Sequence, residues 1–327
     1  MKKLFIATLA IAALASCNND QVINFDKFPI NFGDAFVDNA TKAIYEGETK
    51  VEAFQVWGTV TGNGNTVLIF DGADVTRTKS GSADKNYGEA WYCDVTRYWT
   101  PSCTYNFTAI VHATSVTPTN GAMPTAINYT ADGVSDLLYG VTDTDAITTS
   151  ADCTVTGLNT NNCVAFTMKH LLSRIAVKFT GAANLNADYS YNITNINVAG
   201  AYASGVYTIA DDEWEGSGKM ANSLSFTDVS GVKASTSVAP ANAYVIIPGE
   251  APLTISFTAQ VVFGSKAISE IPYTITLNQT DADTDVTFAK NTSYTLNVTL
   301  PAPGQEIQFS ISEVEGFDND GEVPVEL

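Results

Sequence analysis

Asp281, Asp283 and Asp285 open like a calcium loop, in which alternate carboxylates converge on a hard cation. The loop then fails, because Val286 stands where the turn needs glycine and Thr292 where it needs a bidentate glutamate. Gly216-Ser217-Gly218-Lys219 has the glycines and lysine of a phosphate loop, but Met220 replaces the magnesium-binding hydroxyl and the upstream glycine spacing is wrong. The chain has two histidines, His112 and His170, with no recognisable nucleophile near either, and it contains neither a G-x-S-x-G elbow nor an H-E-x-x-H pair. His170 ends an alternating run and is expected to pack or hydrogen-bond between strands. Trp91, Tyr92, Tyr98 and Trp99 cluster as sugar-binding platforms do, yet core packing is the commoner fate of such residues in a strand-rich chain. The expectation is a protein with no catalytic residues, no metal and no cofactor.

What the chain does carry is an export address. Lys2 and Lys3 precede an apolar run from Leu4 to Leu14, too short to span a bilayer, and residues 1–16 read as a signal peptide. The run closes on Leu14-Ala15-Ser16-Cys17, which has the form of a bacterial lipobox, so Cys17 is expected to be the lipidated mature terminus. Lipid would then hold the chain to a membrane. Four cysteines remain, Cys93, Cys103, Cys153 and Cys163. In an oxidising compartment the equal spacing favours neighbour disulfides, Cys93–Cys103 and Cys153–Cys163, with cross-pairing left open.

Among 327 residues, 16 are basic and 35 acidic, a net charge of −19, and seven acidic residues follow Lys290 with no further lysine or arginine. Such a surface repels nucleic acid and anionic lipid headgroups. With 45% hydrophobic but only 16% charged residues, the composition is that of a folded, β-rich exported chain.

Period-two alternation dominates. Leu253, Ile255, Phe257, Ala259, Val261 and Phe263 interleave with polar residues, and the same pattern recurs at Tyr105–Val111, Ile175–Phe179, Tyr273–Leu277 and Tyr294–Leu300. A slip of phase near Thr194-Asn195 calls for a β-bulge. Gly133 to Tyr139 is the only stretch that suits a helical turn. The length exceeds what one core usually fills, so two successive antiparallel sandwiches are expected, with the boundary in the polar stretch Thr142 to Asn162. At one end Ile30, Phe32 and Phe36 share a parity, and removing that strand would bare a groove with unpaired backbone. At the other, beyond Pro301–Gly304, Ile307, Phe309 and Ile311 alternate with Gln308, Ser310 and Ser312, reading as a strand without a partner of its own. Val323–Leu327 could extend its contact.

Several separated stretches, in this order, resemble the fimbrillins that build type V pili of Bacteroidales. They are Ile30–Phe32, Asp38–Ala43, Phe54–Gly58, Arg97–Pro101 leading into Tyr105–Ala109, Asp136–Tyr139, and Phe166–Arg174, which is similar to an F-x-x-K-H-x-L-S-R signature. The resemblance implies an all-β chain of two consecutive transthyretin-like antiparallel sandwiches. Its parts would be a signal peptide (1–16), an N-terminal segment with an excisable first strand (17–42), a first domain (43–155), a second (156–300) and a C-terminal donor-strand tail (301–327). It also implies an outer-membrane lipoprotein precursor that becomes a structural pilin of a surface fimbrium, assembled by strand exchange after proteolysis, for adhesion and colonisation. Its partners would be further pilin subunits, as a homopolymer with tip and anchor subunits, and a host or bacterial surface ligand. Lys42 matches the cleavage position, where the usual residue is arginine. Gly316-Phe317 stands where such tails often have tryptophan. The alternative class is a non-polymerising surface lipoprotein that binds glycans or host ligands.

Overall fold

The computed structural model describes residues 28–37, 51, 53–76, 91–142, 147–159, 162–250, 252–276, 287–302, 305–315 and 323–325. Cys17, Lys42, the Asp281–Asp285 run and Gly316-Phe317 lie outside them. The described chain is all β and contains no helix. Before Leu171 come β1 (Phe32–Val37), β2 (Ala53–Gly62), β3 (Asn65–Thr76), β4 (Tyr92–Cys93), β5 (Thr104–Val111) and β6 (Ser115–Thr117). β7 (Ala126–Thr130), β8 (Leu138–Thr142), β9 (Ile147–Thr149), β10 (Val155–Thr156) and β11 (Val164–His170) complete this half. The second half begins with β12 (Ser173–Gly181), β13 (Tyr189–Ala199), β14 (Ser204–Thr208), β15 (Glu213–Ser217), β16 (Leu224–Ser225) and β17 (Val229–Val232). It continues through β18 (Ser237–Val238), β19 (Tyr244–Ile246), β20 (Thr254–Phe263), β21 (Lys266–Thr276), β22 (Thr292–Leu300), β23 (Gln308–Glu315) and β24 (Val323–Val325).

The alternation predicted strands at each of the five places named above, and all five form. In β12 every second side chain from Ser173 to Gly181 is buried, which is what a strand with one wet face shows. The predicted bulge is present as well: the β13–β20 ladder shifts register between Thr194 and Asn197, and Asn195 takes a left-handed φ of 54°. The helical turn at Gly133–Tyr139 does not form. Asp132 instead accepts from the Val134 and Ser135 amides at 2.8 and 2.7 Å, and this Asx turn starts the path to β8.

In the first half, one sheet runs β1-β11-β8-β5-β2-β3-β4 around a core that includes Phe54, Phe70, Phe107 and Phe166. In the second, the β12–β22 sheet faces the β13–β20 sheet across a core built from Ile175, Phe179, Ile193, Phe257, Leu296 and their neighbours. The change of sheet falls at Leu171-Leu172. Residues 164–170, expected with the second unit, run as β11 in the first sheet against β8. The halves are also not simply consecutive: β6 and β7 join β14 and β15 in one four-stranded sheet. A third core beneath it gathers Trp57, Ile127, Leu171, Leu172, Tyr207 and Val245, and the Trp214 indole donates to the Leu171 carbonyl at 2.7 Å.

Candidate assembly site

The first strand closes the N-terminal sheet on itself. On one side β1 lies parallel to β11, with the Val164 amide donating to the Asn31 carbonyl at 2.9 Å. On the other, the Ile30 amide donates to the Arg97 carbonyl at 2.8 Å and the Trp99 amide to the Phe28 carbonyl at 3.0 Å. Residues 28–32 therefore bridge β11 to the segment that follows β4. Ile30 and Phe32 point inward and are 4% and 3% exposed. The Phe32 ring sits among Phe54, Phe70, Phe107 and Phe166, with centroids 5.2–6.4 Å away, mostly edge to face. Gly33 is required here, because a Cβ on it would stand 2.7 Å from the Cys163 Cβ.

The far wall of this seat is itself held. Arg97 donates from Nε to the Ile69 carbonyl at 2.8 Å, fixing the segment to β3. Trp99 is buried edge-on against Tyr105. Without residues 28–32 the seat would be a slot lined by aromatic rings, with unpaired backbone on both rims. The four phenylalanines and Arg97 were not singled out as a site in the sequence. Phe54, Phe107 and Phe166 occupy inward positions of alternating runs, whereas Phe70 ends the continuous apolar run Val67-Leu68-Ile69-Phe70 and has no such signal.

The tail has a partner, contrary to the expectation that it lacks one. β23 lies antiparallel on β22, with Val298 opposite Phe309 and Leu296 opposite Ile311, and β24 pairs with β23 in turn. The expected parity holds in part: Ile311 is buried, Ile307 and Phe309 pack half-buried against the second core and Gln308 is exposed, but Ser310, expected on the wet face, is half-buried as well. Pro301 does end the preceding strand, and its carbonyl accepts from the Tyr191 hydroxyl at 2.6 Å.

The other residues noted in the sequence resolve as follows. His170 is buried and hydrogen-bonds through Nδ1 to Asp136, whose main-chain carbonyl meets His112 Nδ1 at 2.8 Å, so both histidines tie one aspartate between strands. The aromatic cluster splits: Trp99 is buried, Trp91 packs on Phe54, and Tyr92 and Tyr98 are exposed. Gly216-Ser217-Gly218-Lys219 ends β15 and turns at Gly218. Among the described residues no group of acidic, cysteine or histidine side chains could hold a metal. The four cysteines are thiols, and Cys103 is set near Cys153, not beside Cys93. This departs from the neighbour pairing that the spacing favoured.

The fold is that of a fimbrial protein. A crystal structure of one from Bacteroides vulgatus ATCC 8482 matches with a TM-score of 0.56 at 16% identity, covering 88% of this chain and 100% of that one. The tip fimbrial protein Mfa3 of Porphyromonas gingivalis, with its C-terminus truncated, matches at a TM-score of 0.43 and 11% identity, covering 87% and 98%. The fimbrillin-like family model matches residues 40–315, and the chain belongs to that family. No curated protein matches it. Family and fold support a pilin-like or adhesive role at the cell surface.

Proposed function

We propose that the chain is a structural subunit of a surface fimbrium, exported as an outer-membrane lipoprotein acylated at Cys17 and polymerised by strand exchange once cleavage near Lys42 frees the first strand. Its role is mechanical and adhesive, not catalytic. The observation that carries this reading is a repeated pattern. Ile30-Asn31-Phe32 fills the slot, and Ile307-Gln308-Phe309 in the tail repeats the same order of isoleucine, amide and phenylalanine. In the proposed register Phe309 of an incoming subunit replaces Phe32 among the four phenylalanines, and Ile307 replaces Ile30. The tail adds a strand to β11 and gains both main-chain ladder bonds and buried side chains.

Before cleavage the slot is filled by a strand of the same molecule, whose effective concentration exceeds that of any free tail. The tail is likewise seated on β22. Assembly therefore needs two releases, one at each end of the subunit.

The test is to treat purified full-length protein with a trypsin-like protease, map the new N-terminus by mass spectrometry, and look for oligomers that resist mild SDS. A cleaved chain should form ladders, and a cleaved chain lacking residues 301–327 should not. Cleaved full-length protein that stays monomeric, or tail-less protein that still polymerises, would sink the reading.

A further inference from the structure

Cys103 and Cys153 are 50 positions apart in sequence and meet at one corner of the first sheet. The β5–β9 ladder, Tyr105 with Ile147 and Thr104 with Thr148, continues one rung further. There the Thr149 amide donates to the Cys103 carbonyl at 2.9 Å, and the Cys103 amide donates to Thr149 Oγ1 at 3.0 Å. The chain then turns on Ser150, whose carbonyl accepts from the amides of both Ser102 and Cys153 at 3.1 Å. One carbonyl thus holds the residue before the first cysteine and the second cysteine itself. Both side chains are buried, at 7% and 5% exposure, and both thiols aim at one short stretch of wall. Cys103 Sγ reaches the Pro101 carbonyl at 3.3 Å and Cys153 Sγ the Trp99 carbonyl at 3.9 Å. Burial raises the Cys103 thiol pKa, and the nearby Cys153 sulfur raises it further. The groups acting on Cys93 are Asp94, Arg97 and Asp74, and Cys163 sits against Gly33.

We propose that Cys103 and Cys153 are joined by a disulfide in the exported protein. The oxidant is the disulfide of a thiol oxidoreductase, or of a small molecule such as oxidised glutathione. One cysteine thiolate attacks a sulfur of that disulfide and expels the other sulfur as thiolate. The second cysteine thiolate then attacks the mixed disulfide, forming the Cys103–Cys153 bond. Both cysteine protons are lost to solvent, and two electrons pass to the oxidant, which leaves as two thiols. Because the folded thiols are buried with raised pKa values, the exchange precedes final packing of this corner.

The bond would staple the Arg97–Cys103 wall to the β9–β10 hairpin. Resting on the strand-exchange reading, the consequence is that one rim of the slot stays in place after residues 28–32 have left. The bond itself does not depend on that reading.

The test is a thiol map of full-length protein oxidised in a glutathione buffer, alkylated under denaturing conditions and digested with pepsin at low pH. Pepsin is needed because no lysine or arginine separates Cys103, Cys153 and Cys163. The expected result is one Cys103–Cys153 linked peptide, with Cys103 and Cys153 inaccessible to alkylation. Alkylated Cys103 or Cys153, or a link from either to Cys93 or Cys163, overturns the proposal. A second measurement reads the wall directly: Cys103→Ser with Cys153→Ser should speed amide exchange at Trp99 and Cys103 by tenfold or more relative to oxidised protein, and equal exchange overturns the stapling role. Neither measurement needs cleavage or polymer, so failure here leaves the assembly reading standing.

Discussion

The strands at the two ends of the described chain carry the same short pattern in different seats. Phe32 is enclosed by four aromatic rings and its backbone is held on both sides, by β11 and by the Arg97–Trp99 segment. Phe309 is half-buried and pairs with one strand, opposite Val298 of β22, while β24 flanks the strand only from Ile311 to Glu313. The difference sets a direction. A tail that leaves β22 for an empty slot exchanges a shallow seat for a deep one, and each phenylalanine moved from partial to full burial adds a fraction of the ~1.5–3 kcal/mol that complete burial supplies. Under the proposed assembly, emptying the deeper seat would instead be driven by breaking a peptide bond near Lys42.

Five substitutions bear on this contrast. Phe32→Ala in the uncleaved protein should cost about 3–5 kcal/mol, since the cage cannot collapse around the hole. Urea unfolding that showed a loss under about 1 kcal/mol would mean the slot is less demanding than its geometry. Ile311→Ala should cost about 2–4 kcal/mol by the same measurement, and Phe309→Ala, being half-buried, less than Phe32→Ala. A reversal of the two phenylalanines would invert the direction of exchange.

Ser310→Gly sharpens the register. In the proposed alignment Ser310 falls where Gly33 lies, and its Cβ would meet Cys163 Cβ near 2.7 Å. Relief of that overpacking, about 1–3 kcal/mol less the flexibility cost of glycine, should strengthen the intersubunit joint, read as ladders surviving hotter SDS. An unchanged melting point of the ladder would place another residue beside Cys163. The smallest effect is expected at Lys290, whose ammonium donates to Asp212 at 2.7 Å and ties the bridging sheet to the start of β22. Burial opposes the Asp212 carboxylate, but Lys290 and the Tyr207 hydroxyl outweigh it and lower its pKa. A lowered carboxylate pKa gives stability that is present above the unfolded value, near ~4, and lost as pH falls through the folded one. Lys290→Ala should therefore matter slightly at pH 7, by under ~1 kcal/mol because the pair is partly exposed, and less at a low pH where the carboxylate is protonated. Equal losses at both pH values in thermal melts would assign the effect to packing.

Strand positions and inward faces were legible because alternation is a local property: β5, β12, β20 and β22 announce themselves in their own residues. Pairing was less so. The parity of Ile307, Phe309 and Ile311 was plain, but no residue in the tail states which sheet edge it lies on, and the β22 edge that it covers is visible only in three dimensions. The bridging sheet escaped notice because β6, β7, β14 and β15 have three to five residues each, too few for a period to stand out. The arrangement of the cysteines is hard to read for the opposite reason. Their equal spacing is a pattern in sequence, whereas the corner that brings Cys103 near Cys153 is made by a ladder between segments about 50 positions apart.

The change of sheet at Leu171-Leu172 has a mechanical meaning. In a fibre built by strand exchange, tension from one neighbour arrives along β11 and reaches Ser173 through two buried leucines, while the pull from the other neighbour leaves at Leu300. Those two residues sit at opposite ends of the parallel β12–β22 ladder, which runs from Ser173–Thr292 to Gly181–Leu300. Load applied at opposite ends of parallel strands shears them, so every rung must fail together and none can be unzipped in turn. Under the proposed assembly, the longest parallel pairing among the described residues would lie in the line of force, with the tail hanging from its far end.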